Sequence, residues 1–106
     1  HVPLNNETKY LFDKKTFQKM NNKPIIINSS RGGIINETDI LEAYKNNYIS
    51  GFALDVYEHE PVNKRFLKNI TNDMNCILSP HIAGVTEESN TRVSEFIMNK
   101  TNEFFF

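Results

Sequence analysis

The run Pro24-Ile25-Ile26-Ile27-Asn28 decides the architecture. It is a continuous, β-branched apolar segment bounded by turn residues, the pattern of a strand buried on both faces of a parallel sheet. After it, Ser29 to Gly33 reads as a loop, and Asn36 is placed to cap a helix with Glu37 and Asp39 in its first turn. Ile40, Leu41 and Tyr44 recur at helical spacing, so a helix is expected over residues 37–47, ended by Asn46-Asn47. A second buried strand, Gly51-Phe52-Ala53-Leu54-Asp55-Val56, follows. The helix between the two strands is long enough for the right-handed crossover that parallel pairing requires, so these residues form one βαβ unit.

Further out, Asp13 caps a short helix through Met20 that Lys23-Pro24 ends. The stretch Glu58 to Asn75 is polar and irregular, with helical tendency over Lys64 to Asn69, and leads to a third strand, Asn75-Cys76-Ile77-Leu78-Ser79, closed by Pro80. Thr86, with Glu87 and Glu88 behind it, starts a long helix whose apolar stripe is Val93, Phe96, Ile97 and Phe104. The fold class is therefore α/β, a partial Rossmann-like parallel sheet of about three strands with flanking helices. Phe104, Phe105 and Phe106 cannot all face one way on a helix, so at least one is expected to contact something else.

Composition narrows the function. The 106 residues, 39% hydrophobic and 24% charged, fit one small domain, and an opening at His1-Val2-Pro3-Leu4 in place of Met reads as a fragment of a larger doubly wound domain. Twelve basic and 13 acidic residues give a net charge of −1 without a basic stripe, which argues against nucleic-acid or anionic-membrane partners. No apolar run is long enough to span a bilayer, and a soluble, cytoplasmic protein is the default expectation. The single Cys76 excludes an internal disulfide framework, sits in an apolar stretch as a buried inert thiol, and with no CxxC or Cys/His cluster no metal site is expected.

In open parallel sheets ligands bind outside the carboxyl ends of the strands. Arg31 follows the first strand, Asp55 ends the second with Glu60 just beyond, and His81 follows the third, so a cation, two carboxylates and an imidazole converge on one edge. Each also has a purely structural reading: Arg31 as a solvated or helix-capping cation, Glu60 as a loop carboxylate, His81 as a histidine bonded to backbone beside Pro80.

Four segments in order carry a resemblance: His1-Val2-Pro3-Leu4, Ile27-Asn28-Ser29-Ser30-Arg31-Gly32-Gly33, Leu54-Asp55-Val56-Tyr57-Glu58-His59-Glu60-Pro61 and Ser79-Pro80-His81-Ile82-Ala83-Gly84. They resemble successive signatures of the D-isomer-specific 2-hydroxyacid dehydrogenases, in their phosphoglycerate-dehydrogenase-like branch. The resemblance implies an NAD-dependent oxidoreductase that interconverts a small D-2-hydroxy acid and its 2-oxo acid. It implies that Arg31 holds the substrate's carboxylate and carbonyl oxygen, as a forked, always charged guanidinium does well. By the same resemblance His81 is the acid/base and Glu60 the carboxylate that orients it. The cofactor contacts it implies are Val2, Pro3, Ser29, Ser30, Arg31, Asp55, His81, Ala83 and Gly84, with Asp55 near the nicotinamide carboxamide. Glu58 and His59 match no catalytic position.

One departure stands out. No GxGxxG is present, the only glycines being Gly32, Gly33, Gly51 and Gly84. The chain thus reads, over residues 1–106, as the carboxy-terminal half of an NAD-binding domain, without the pyrophosphate cradle or the substrate domain, and is expected to be inactive in isolation. NAD over NADP, and a homodimer as the full-length protein, follow from the family. The competing reading is a non-catalytic, NAD-responsive corepressor-like binding protein of the same fold. A stable stand-alone half domain is disfavoured, because exposed strand edges invite aggregation.

Overall fold

The computed structural model describes residues 1–105. The elements are α1 (Lys14–Gln18), β1 (Ile25–Asn28), α2 (Glu37–Lys45), β2 (Gly51–Leu54), α3 (Lys64–Lys68), β3 (Cys76–Leu78) and α4 (Glu87–Phe105). The strands form one parallel sheet in the order β1-β2-β3, with Ile27 opposite Ala53 and Ala53 opposite Ile77.

Local chemistry explains the element boundaries. Asp13 caps α1 by accepting from the Thr16 amide at 2.9 Å, and Asn36 caps α2 by accepting from the Asp39 amide at 3.0 Å. Asn63 caps α3, the helical turn expected near Lys64, and the Thr86 hydroxyl accepts from the Ser89 amide at the start of α4. α2 stops at Lys45, and Asn47 takes a left-handed conformation at φ 64°. α1 is shorter than expected and ends at Gln18, with Lys19 as its C-cap. β2 ends at Leu54, two residues early: the Asp55 amide still bonds to Asn28 O at 3.0 Å, but the chain then turns towards the site.

Phe17, Ile40, Leu41, Ile49, Phe52 and Tyr57 form the core between the helices and one face of the sheet. Tyr44 meets Phe52 edge-on at 6.1 Å, and Tyr57 meets Phe66 at 6.4 Å. The expectation of strands buried on both faces is corrected here. Ile25, Ile27 and Ile77 are 60%, 73% and 71% exposed, because alternate strand residues point to opposite faces and the described helices cover only one. β2 does match the expectation, with three of its four residues buried.

The stripe expected on α4 is corrected too. Val93, Phe96, Ile97 and Phe104 are all exposed, so this helix buries no apolar face against the described residues. The expectation about consecutive aromatics falls in part on Phe106, which lies outside the described residues. Cys76 is free and half-buried, and burial pushes its thiol above the usual range, as suits an inert thiol. Among the described residues no helix is long and apolar enough to cross a membrane, and no group of three or more metal-ligating side chains gathers.

The N-terminal segment joins the body in a way the sequence reading did not anticipate. Phe12 bridges Ile35 in parallel, Tyr10 N donates to Gly33 O at 2.7 Å, and Asn36 N donates to Phe12 O at 3.0 Å. These bonds brace the loop between β1 and α2. Replacing Asn36 with Ala removes a cap at that junction and should lower stability by about 1 kcal/mol, read as a lower urea midpoint with an unchanged slope.

Candidate active site

At the end of β1, the buried Asn28 side chain organises the loop that carries Arg31. Its Oδ1 accepts from both the amide and the hydroxyl of Ser30, at 3.1 and 2.9 Å, and its Nδ2 donates to Arg31 O at 3.0 Å. This Asx turn was legible as Asn followed by two serines, but its role was not recognised. Ser30's hydroxyl is thereby turned towards Asn28. Arg31 is exposed and donates from Nη1 to Ser30 O at 2.6 Å. Together with Val2, Pro3, Leu4, Ser29 and Ser30 it lines a groove of about 440 Å³.

At the end of β2, Asp55 is 6% exposed. Its Oδ1 accepts from the Ser79 hydroxyl at 2.6 Å and the Ile82 amide at 2.9 Å, while Oδ2 accepts from the Ala83 amide at 3.0 Å. The Ser79 hydrogen bond, followed by the Ala83 amide, holds this carboxyl below the usual range against the opposing effect of burial. A carboxylate offers roughly four acceptor positions, so three bonds leave one for a further donor such as a carboxamide N–H.

Beyond β3, His81 adopts a left-handed backbone at φ 59° and presents Nδ1 to Glu60 Oε2 at 2.7 Å. The other oxygen of Glu60 accepts from the Tyr57 amide at 3.1 Å. The His81 bond first, and the Tyr57 amide second, hold the Glu60 carboxyl below the usual range. The two side chains are 46% and 38% exposed, His81 being the more open, and Nε2 makes no hydrogen bond among the described residues. A groove of about 450 Å³, lined mostly by apolar side chains including Val62, Leu67, Leu78 and Pro80, runs beside the pair.

The loop-carboxylate and backbone-bonded readings of Glu60 and His81 are therefore replaced by a paired imidazole and carboxylate. Arg31 differs: no hydrogen bond or ion pair joins it to Glu60 or His81, and it stands in the other groove. Val2, Pro3 and Ser29 lie with Arg31, Ala83 is tied to Asp55, and Gly84 has open space where a Cβ would stand.

Two residues missed in the sequence hold this edge together. The Tyr57 hydroxyl lies 3.0 Å from Leu54 O and 2.9 Å from Ser79 O, tying the end of β2 to the end of β3. Burial, more than the charge of Asp55, raises its phenol pKa. Gly32 passes so close beneath Tyr57 that an added Cβ would stand 1.7 Å from Tyr57 O. The only hint of this in the sequence was the Gly32-Gly33 pair. Gly32→Ala should displace Tyr57 and cost about 1–3 kcal/mol, measurable by chemical denaturation. For Asp55 the sign follows from its lowered pKa. Its stabilisation is complete above the ordinary aspartate range and is lost as pH falls through the lowered value. Asp55→Asn should therefore lower the thermal midpoint at neutral pH and flatten its fall in acid. An equally steep fall in both proteins would show that Asp55 carries none of it.

Residues 1–83 match the family described as D-isomer specific 2-hydroxyacid dehydrogenase, NAD binding domain. Erythronate-4-phosphate dehydrogenase of Bacteroides thetaiotaomicron is 36% identical over 110 residues, covering 99% of the chain and 30% of that protein. D-3-phosphoglycerate dehydrogenase of Bacillus subtilis is 36% identical over 105 residues, covering 98% of the chain and 19% of that protein. Among solved structures, NAD-dependent formate dehydrogenase of Staphylococcus aureus, in complex with NAD, superposes with a TM-score of 0.83 at 27% identity, over 99% of the chain and 31% of that structure. The chain thus spans under a third of the length of these relatives. With its three parallel strands and the match over residues 1–83, it belongs to the NAD-binding domain of the D-isomer-specific 2-hydroxyacid dehydrogenases.

Proposed function

We propose that this chain is the carboxy-terminal half of the NAD-binding domain of a dehydrogenase that interconverts a small D-2-hydroxy acid and its 2-oxo acid. The observation that carries the reading is the 2.7 Å pairing of His81 Nδ1 with Glu60, which leaves Nε2 without a hydrogen bond among the described residues. A carboxylate on Nδ1 fixes the ring and lets Nε2 hold a proton where a substrate oxygen can reach it.

In reduction, Arg31 binds the 2-oxo acid through its carboxylate and carbonyl oxygen, two forked donors fixing the plane of the substrate. NADH, when bound, would supply hydride to the carbonyl carbon, and NAD+ would take it back in the reverse direction. His81 gives its Nε2 proton to the carbonyl oxygen, so hydride and proton together yield the hydroxyl, and Glu60 balances the charge on the ring while it is protonated. In oxidation His81 Nε2 takes the hydroxyl proton back. Asp55, with one acceptor position spare, and the groove of Val2, Pro3 and Ser29 suit the carboxamide and face of a nicotinamide. Ala83 and Gly84 would complete that wall. Ser30, with its hydroxyl held by Asn28, would contribute through its backbone.

Arg31 lies in a separate groove from Glu60 and His81, so this reading requires the substrate to bridge the two. The pyrophosphate cradle is to come from sequence outside this segment, since none of the four glycines forms a GxGxxG. A homodimeric, cytoplasmic enzyme is part of the same proposal and is supported by the family resemblance.

The test is NADH oxidation against a panel of small 2-oxo acids, by the polypeptide that joins this segment to a dinucleotide-binding glycine loop. His81→Gln should lower kcat by about 10²- to 10⁴-fold. Because the Glu60 carboxyl is held below its usual range, its support for His81 is present at neutral pH and lost only as pH falls through that lowered value. Glu60→Gln should therefore be slow at neutral pH and lack that acid limb. A folded, NADH-binding protein without turnover on any acid would overturn the catalytic reading in favour of a corepressor-like binding protein.

A further inference from the structure

Glu58 lies outside the catalytic set, yet both oxygens of its side chain are engaged. Its Oε1 accepts from the Glu37 amide at 2.8 Å, and its own amide donates to Glu37 Oε1 at 2.7 Å. Its remaining oxygen, Oε2, accepts from the Tyr10 hydroxyl at 3.1 Å. Two half-buried glutamates are thus linked twice, each carboxylate on the other's backbone, across 21 residues of sequence.

Capping alone does not account for this pair. α2 already has its N-cap in Asn36, and two neighbouring carboxylates repel each other. Burial pushes Glu37 above the usual carboxylate range, opposed by the Glu58 amide and reinforced by the Glu58 charge. A neutral pair would cap α2 at lower cost. What the glutamates add is position. One end of the segment 32–37 is pinned where Gly32 passes under Tyr57 O, and the other where Glu37 meets Glu58. Two contacts between the same two segments fix both their separation and their relative rotation. Arg31 immediately precedes the segment 32–37, and Glu60 ends the facing one, residues 57–60.

We propose that Glu58 is a positioning residue, whose reciprocal clasp with Glu37 holds the Arg31 loop in register with the segment that carries Glu60. This rests on the dehydrogenase reading for its consequence in turnover. With no direct bond between Arg31 and the His81–Glu60 pair, the clasp sets how far apart substrate clamp and proton donor stand, and such distances govern rate steeply.

The test uses Glu58→Ala and Glu58→Gln in the NADH-competent polypeptide. Glu58→Ala should lower kcat by about ten- to a hundredfold and raise KM for the 2-oxo acid, leaving KM for NADH unchanged. Glu58→Gln, whose amide oxygen still accepts from the Glu37 amide, should restore most of both. If Glu58→Ala does not fold, Glu58→Asp takes its place, still charged but one methylene shorter. Amide exchange at residues 32–34 and at Tyr57 should quicken in the Ala or Asp variant and not in Gln. Wild-type kinetics and unchanged exchange in the Ala or Asp variant would overturn the proposal, as would a Gln variant as impaired as they are. If the unmutated polypeptide itself shows no turnover, the dehydrogenase reading fails, and the exchange at these two segments still decides for or against the clasp.

Discussion

A charge at the end of the central strand is tolerable only where donors surround it. Asp55 is that charge, and the chain answers it with a hydroxyl and two amides from the turn after β3. The path of Ser79 to Ala83 follows from this need. His81 sits in the middle of that turn, so the imidazole is placed by a carboxylate it does not itself bond. The Tyr57 hydroxyl acts to the same end by joining the ends of β2 and β3 through backbone carbonyls. The geometry of the His81–Glu60 pair is thus inherited from the ladder of the sheet, one strand to the next.

Most of this architecture was legible as pattern. The apolar runs at Ile25 and Gly51, the Asn36 cap and the length of the crossover helix led to parallel strands, because each is a local signal that tertiary packing did not override. The pairing of Glu60 with His81 was legible only through the family's motifs. Spacing places both near one edge but does not say that Nδ1 meets a carboxylate. Asn28, Tyr57 and Gly32 were not recognised for what they do, since a buried amide that builds a turn, a phenol between two carbonyls and a glycine under a carbonyl leave little mark in composition.

The misread features share one cause. A run of β-branched residues reports what a strand can bury, and the described helices supply partners for one face alone, so Ile25, Ile27 and Ile77 form an open apolar row. α4 carries apolar residues for the same reason and covers nothing among the described residues. Both leave an apolar face without a partner among the described residues, and the relatives this chain matches are more than three times as long.

The left-handed backbone at His81 limits the routes by which such a site can change. Only a few residues besides glycine occupy that region readily, asparagine, aspartate and histidine foremost, while β-branched residues are strongly disfavoured. A lineage that changed this residue but kept the turn would thus be channelled towards Asn, Asp or Gly at this position. Asparagine there in a related chain would mark a changed side chain on an intact turn, whereas valine or isoleucine would mark a turn rebuilt altogether.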